Sequence, residues 1–382
     1  MTKLLPSVIY QPSSVLMHSE LFYQLALTLV PNIGDVQAKI LVQHFGDASS
    51  IFKAKKSQLE KIDGIGEVRA TSIKHFDGSH LVETELKFIE KYKIRTFFLT
   101  DESYPKRLLN CYDSPTLLFY KGDTDLNASK IVAIVGTRSN TDYGKTITEE
   151  LVKDLASENV IIVSGLAYGI DAFAHKASVK YGVPTVGVVG HGLSKIYPAQ
   201  NAALAKEMIA EGGGILSEFF HDTKPDKHNF PLRNRIVAGI SDATIIVESS
   251  INGGSLITAK LADGYNRDVF AIPGKITDKV SAGCNHLIKH NKAILLTNAE
   301  ELLAVMGWTE KKLKPKKQRE LFIELTPEEQ IIISLLQQKE AVHIDEINIS
   351  SGLSSSTIAA AILNLELQGV VQSQPGKMYK VI

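Results

Sequence analysis

The nine residues Lys227-His228-Asn229-Phe230-Pro231-Leu232-Arg233-Asn234-Arg235 hold three cations, amide side chains and an aromatic ring. Single-stranded nucleic acid wants that mixture, with cations for the backbone and an aromatic face for a base. The same residues fit Phe230 packed in a core and the arginines held in internal salt bridges, so the segment alone leaves both readings open. Four further segments each follow a short apolar run. They are Gly136-Thr137-Arg138; Ser164-Gly165-Leu166-Ala167-Tyr168-Gly169-Ile170-Asp171; Gly190-His191-Gly192; and, after Glu248, Asn252-Gly253-Gly254-Ser255. Glycine lets a backbone approach an anion, and free N–H groups at a helix start bind it. Arg138 adds a planar, forked donor suited to phosphate. A single glycine-rich loop after a strand often serves chain geometry alone. Four on one sheet edge, one with an arginine, point to a phosphate-bearing ligand.

The elements that must position these loops are short apolar, β-branched runs at 131–135, 160–163, 185–189, 215–216, 244–247, 269–272 and 293–296. Helical stretches lie between them near 143–157, 170–181, 200–210, 232–240 and 255–265. Continuous apolar strands separated by helices predict an α/β fold, a Rossmann-like parallel sheet covered on both faces, over residues 130–307. Ligands of such sheets bind at the carboxyl ends of the strands, beside a topological switch point.

Three other regions flank that core. After a loose tail of about twenty residues, the pattern to residue 79 is all-α, with similar turns at Val30-Pro31-Asn32-Ile33-Gly34 and Ile62-Asp63-Gly64-Ile65-Gly66. The second turn fits the helix-hairpin-helix form of a SAM-like domain, whose outward N–H groups can hold a phosphate. A plain packing hairpin fits too, and nine Lys/Arg against ten Asp/Glu in residues 1–90 supply no basic field. Residues 80–129 read as a connector with strand candidates at 96–99 and 117–120. Residues 308–324, with Lys311, Lys312, Lys314, Lys316, Lys317 and Arg319, read as a solvated basic linker. From Leu325 to Ile382, three helices, the first capped by Thr326, and a hairpin through Gln374-Pro375-Gly376-Lys377 make a winged helix.

Composition narrows the function. The 382 residues allow two or three domains at roughly 150 residues each. Forty-two basic residues balance forty-two acidic ones, which excludes coating of nucleic acid by bulk charge and requires a local patch. Two cysteines, Cys111 and Cys284, are too few for a disulfide framework and lack metal-site spacing. No apolar run reaches the roughly 18 to 20 residues of a membrane span, and no secretory signal is read, so a cytoplasmic protein without a membrane partner is expected. No cofactor and no metal are expected. Seven residues separate Gly136 from Gly144-Lys145-Thr146, too many for a P-loop. Gly190-x-Gly192 lacks the third glycine of a dinucleotide fingerprint.

The loops together resemble the DNA-processing protein A (DprA/Smf) family. The resemblance is carried by Gly136-Thr137-Arg138, Ser164 through Asp171 with His175, Gly190-x-Gly192 with Tyr197-Pro198, and Phe230 through Arg235. Gly253-Gly254-Ser255-Leu256-Ile257-Thr258-Ala259 and Phe270-Ala271-Ile272-Pro273-Gly274 complete it. Their order and spacing over some 150 residues are specific. The resemblance implies a non-catalytic protein that binds and protects single-stranded DNA and hands it to a RecA-type recombinase in natural transformation. It implies that Arg138 and Lys227 hold the strand and that Phe230 lies beside the bases. Thr137 stands where serine is commoner, and Ala199-Gln200-Asn201 stands where many members place a lysine. The expected DNA-binding set is Gly136, Thr137, Arg138, Ser164, Gly165, Gly169, Lys227, Phe230, Arg233, Asn234, Arg235, Gly253, Gly254 and Ser255. Members of the family dimerise through the late part of the core, which implies a homodimer with Leu287 and Ile288 at the contact.

Two rival readings differ in class. Nucleotide phosphoribohydrolases share a similar sheet and carry a glutamate in a Gly-Gly-x-Gly-Thr-x-x-Glu loop, but here Lys260 stands at that position and cannot do a carboxylate's acid/base work. A winged-helix regulator would read duplex DNA, but residues 325–382 carry three Lys against six Asp/Glu, a thin supply for phosphates.

Overall fold

Strands β1 (Arg95–Phe98), β2 (Leu117–Gly122), β3 (Ile131–Val135), β4 (Ile161–Ser164), β5 (Thr185–Val188), β6 (Gly214–Ser217), β7 (Ala243–Ile246), β8 (Asp268–Ala271) and β9 (Ile294–Leu295) form one sheet. Their order is β1-β2-β6-β5-β4-β3-β7-β8-β9. In this computed structural model, residues 19–309, 325–339, 341–374 and 377–382 are described. The expected N-terminal tail, the basic linker from Lys311 to Arg319 and the Pro375-Gly376 turn lie outside the described residues.

β3 through β9 pair in parallel, and every residue of β3 to β7 is buried, which is why the sequence shows continuous apolar runs instead of alternation. Successive residues still divide between two cores. Val132 and Ile134 pack beneath helices Asp142–Leu155 and Ile170–Tyr181. Ala133 and Val135 pack with helices Asn229–Ile240 and Gly254–Gly264. The chain winds from β3 outward through β4, β5 and β6, then returns to β7 on the other side of β3. That reversal is the switch point.

The connector differs from its sequence reading. β1 and β2 pair with each other, and β2 with β6, in antiparallel register, so the segment is an edge of the main sheet. Its two faces explain the placement. Phe97 and Leu118 join the Rossmann-side core, while Phe98, Leu117 and Phe119 join the core of the N-terminal helices with Leu25, Leu41 and Ile51. The chain to Thr309 is accordingly one compact unit. In its helical part the two turns are locked to each other by Arg69, which donates to the carbonyls of Asn32 and Gly64, each at 2.9 Å.

The second unit holds helices Pro327–Leu336, Ile344–Ser351 and Ser355–Leu367 with a three-stranded sheet. Thr326 and Glu329 form a capping box at its start. The sheet runs β10 (Val342–His343), β12 (Met378–Val381), β11 (Val371–Gln374), and β10 is an addition to the sequence reading. Among the described residues no helix is long and apolar enough to cross a membrane.

Candidate nucleic-acid interface

A cleft of about 520 Å³ opens at the carboxyl ends of β3 and β7. The loop after β3 is held by Glu248, which is buried at the end of β7. Its backbone carbonyl accepts from Thr137 N–H at 2.7 Å, and its carboxylate accepts from Thr141 N–H at 3.0 Å and Thr141 Oγ1 at 2.5 Å. Arg138, in the middle of that loop, is left exposed on the rim. A close approach sets the glycine behind it. Gly169 has φ +74°, and a Cβ there would stand 2.2 Å from the Thr137 carbonyl oxygen.

The cationic segment 227–235 is the start of a helix, beginning at Asn229 with Pro231 in the first turn, where proline is tolerated. Helical spacing sorts its residues. Phe230, Arg233, Asn234 and Val237, at i, i+3, i+4 and i+7, face the cleft, and Lys227 joins them from the preceding turn. The Arg138 guanidinium lies over the Phe230 ring, 5.3 Å from its centroid. Neither Arg138 nor Lys227 has a carboxylate partner among the described residues.

Arg233 is the cleft's floor. It is buried and its Nη1 donates to the carbonyls of Gly165 and Val188. Burial pulls its guanidinium down to about 10, opposed by Asp171. Burial also pushes the Asp171 carboxyl up, while Arg233 and the N–H groups of Ala167, Gly165 and Gly136 oppose the rise. The three backbone donors and the guanidinium thus work against the desolvation that favours the neutral form. His175 is different. Fully buried, with Nδ1 on Thr185 Oγ1 at 2.7 Å, it is pushed down to about 3 by desolvation first and Arg233 second. Asp171 and His175 are packed, hydrogen-bonded groups, and a base near 3 is poorly matched to catalysis at neutral pH. Among the described residues no cluster of three metal-ligating side chains occurs.

Of the expected set, Gly136, Thr137, Arg138, Gly165, Lys227, Phe230, Arg233, Asn234, Gly253, Gly254 and Ser255 line the cleft. Three stand elsewhere. The Ser164 hydroxyl is buried and donates to Ile134 O at 2.6 Å, because it is the last residue of β4 and points into the sheet's packing. Gly169 lies behind the loop it supports. Arg235, two residues round the helix from Arg233, is buried against Asp35 at 2.9 Å, Glu218 and the Asp113 carbonyl. The internal salt-bridge reading therefore describes Arg235, while Lys227, Phe230, Arg233 and Asn234 line the cleft. Leu287 is buried in the Rossmann-side core with Ile288 half-buried beside it. The sequence reading missed Ser249, Ser250, Ile257 and Thr258, which also line the cleft. The first two were detectable, since they lie in the loop after β7, just past Glu248, as the other loops follow their strands.

A family model described as DNA recombination-mediator protein A matches residues 95–307, a DprA winged helix domain matches 316–377 and a helix-hairpin-helix motif matches 24–80. Protein Smf of Synechocystis is 34% identical over 399 residues, covering 95% of this chain and 99% of its own. DNA processing protein DprA of Streptococcus pneumoniae is 43% identical over 215 residues, covering 56% of this chain and 75% of its own. A crystal structure of DNA processing protein A from Streptococcus pneumoniae superposes with a TM-score of 0.65 at 33% identity, over 75% of this chain and 97% of that one. A structure concerned with the single-stranded DNA binding mode of the Helicobacter pylori protein superposes with a TM-score of 0.51 at 33% identity, over 56% of this chain and 95% of that one. The chain belongs to the DprA/Smf family of DNA-processing proteins.

Proposed function

We propose that the protein binds single-stranded DNA in the cleft at the ends of β3 and β7, protects it, and passes it to a RecA-type recombinase during natural transformation. The observation that carries this reading is the convergence of Arg138, Lys227 and Phe230 on one rim above glycine-rich loops. Arg138 and Lys227 take backbone phosphates, and the N–H groups near Gly136 and Gly253-Gly254-Ser255 supply neutral donors. The role is binding without turnover, because the titratable groups behind the cleft are buried and engaged. The relative from Helicobacter pylori, described by its single-stranded DNA binding mode, supports the choice of ligand.

We also propose a homodimer formed through the β9 edge. β9 is the last strand of the sheet, and Ile294 and Leu295 on it are 43% and 46% exposed. Titrating single- and double-stranded oligonucleotides of one sequence at fixed salt tests the binding reading. Tighter binding of the single strand is expected, and equal or weaker binding than the duplex overturns it.

A further inference from the structure

Tyr197 stands on the rim beyond β5 with its side chain 46% exposed, and its ring stacks on Phe230 with centroids 6.0 Å apart and planes at 29°. Phe230, half-buried, also has the Arg138 guanidinium over it. The ring expected to meet a base is thus already flanked by a cation and a second ring. The solvent-facing aromatic of the group is Tyr197. Tyr168, 41% exposed, lines the same small recess with Arg138, Phe230 and Gly190.

Both tyrosines are held in place. His191 Nε2 accepts the Tyr197 N–H at 3.2 Å while Nδ1 donates to the Gly192 carbonyl at 2.8 Å. Burial lowers the His191 pKa, which keeps that neutral, one-donor, one-acceptor arrangement. The Tyr168 hydroxyl donates to Gln200 Oε1 at 2.6 Å. Core packing accounts for neither exposed ring. Two pinned aromatics beside an unpaired arginine are what a sequence-tolerant single-strand binder uses, because every base has a π-face.

We infer that Tyr197, with Tyr168 in the same recess, forms a base-stacking station next to the Arg138 contact. The backbone runs over Arg138 and Lys227, and a base turns past Phe230 to lie against Tyr197. Phe230 acts here as a positioning residue for the cation and the tyrosine. The inference rests on the single-strand reading proposed above.

The test compares wild type, Tyr197→Ala and Tyr197→Phe on an intact single-stranded oligonucleotide and on one of equal length made of abasic sites. Tyr197→Ala should weaken binding of the intact strand roughly tenfold, Tyr197→Phe should bind as wild type, and neither should change binding of the abasic strand. Tyr168→Ala should follow the pattern of Tyr197→Ala. An equal loss on both strands, or no loss on the intact one, overturns the stacking station while leaving the cleft reading in place. Failure of wild type to bind the intact strand overturns both.

Discussion

Arg138 and Phe230 form a cation–π pair across the cleft, with 5.3 Å between the guanidinium carbon and the ring centroid. They come from different elements, the loop after β3 and the first turn of helix Asn229–Ile240, so the contact fixes an otherwise exposed arginine over the cleft. Arg138→Ala and Lys227→Ala should each weaken single-stranded DNA binding by about 1.5–3 kcal/mol. Phe230→Ala should cost about 0.5–2 kcal/mol through the lost cation–π hold on Arg138. Because Phe230 positions Arg138, the double substitution should cost less than the sum of the singles, with a coupling of at least about 0.5 kcal/mol. A double-mutant cycle by fluorescence anisotropy measures this. Strict additivity would make the two residues independent contacts.

Arg235 makes the opposite prediction. It is buried between Asp35, on the N-terminal helices, and Glu218, just past β6. Arg235→Met should cost about 3–5 kcal/mol of stability, the range for removing one partner of a buried pair, with little change in DNA affinity of the folded protein. Burial already pushes the Glu218 carboxyl up to about 7 despite Arg235. A carboxyl raised above its unfolded value is stabilised at low pH and loses that stability as pH rises through the folded value. Without Arg235 the rise is larger, so the variant's deficit in thermal denaturation should be greater at pH 8 than at pH 6.

This contrast marks what was legible in the sequence. The strand runs were, because a doubly covered sheet writes its burial as uninterrupted apolar residues, and the loops after them line the cleft. The sorting of Arg233 from Arg235 was not, since a compact cationic segment read as one patch conceals the helical rotation that separates them. β1 and β2 were found as strands, but the pairing of β2 with β6 depends on contacts more than 90 residues apart, such as Phe119 with Ser217, which no local pattern encodes. Tyr197 was visible only as part of a Tyr-Pro motif. Its stacking on Phe230 joins residues that the fold alone brings together.

His175 should dominate one limb of the acid response. Its folded value near 3 lies below the ordinary 6.5, so its neutral burial stabilises the fold above about pH 6.5, and that contribution is lost as pH falls toward 3. The slope from this group approaches about 1.4 kcal/mol per pH unit. Denaturant titrations from pH 7 to 4 should show it. His175→Asn, which keeps a donor toward Thr185, should flatten the curve over that interval. An unchanged curve would assign the acid sensitivity to the carboxylates.

Removing residues 310–382 should leave single-stranded DNA affinity within a few-fold of the full chain. The compact unit that contains the cleft ends at Thr309. In the winged helix, helix Ser355–Leu367 carries Glu366 as its one charged residue, and a helix without cations contributes little to phosphate binding. Titration of the shortened protein at the same salt is the measurement. A loss of about a hundredfold would make the Lys311–Arg319 segment or the winged helix part of the binding surface.

The dimer prediction shifts from the helix to the strand beside it. Leu287 is 9% exposed and packs in the core, and Ile288 is half-buried against it, so a charge at either would test stability as much as association. Leu295 is 46% exposed on β9, beside a groove that Ile288, Arg267 and Asp263 also line. An apolar edge strand with unpaired N–H and C=O groups is a template for another chain, and a charge on it blocks such pairing. Leu295→Glu should therefore sediment as a folded monomer where wild type sediments as a dimer. Two cleft sites on one dimer can hold the same strand and raise avidity with no new contact. The variant should then bind an oligonucleotide long enough to span both sites less tightly, and a short one as wild type does. Wild type that is monomeric at micromolar concentration would end the dimer proposal and leave the single-cleft binding reading unaffected.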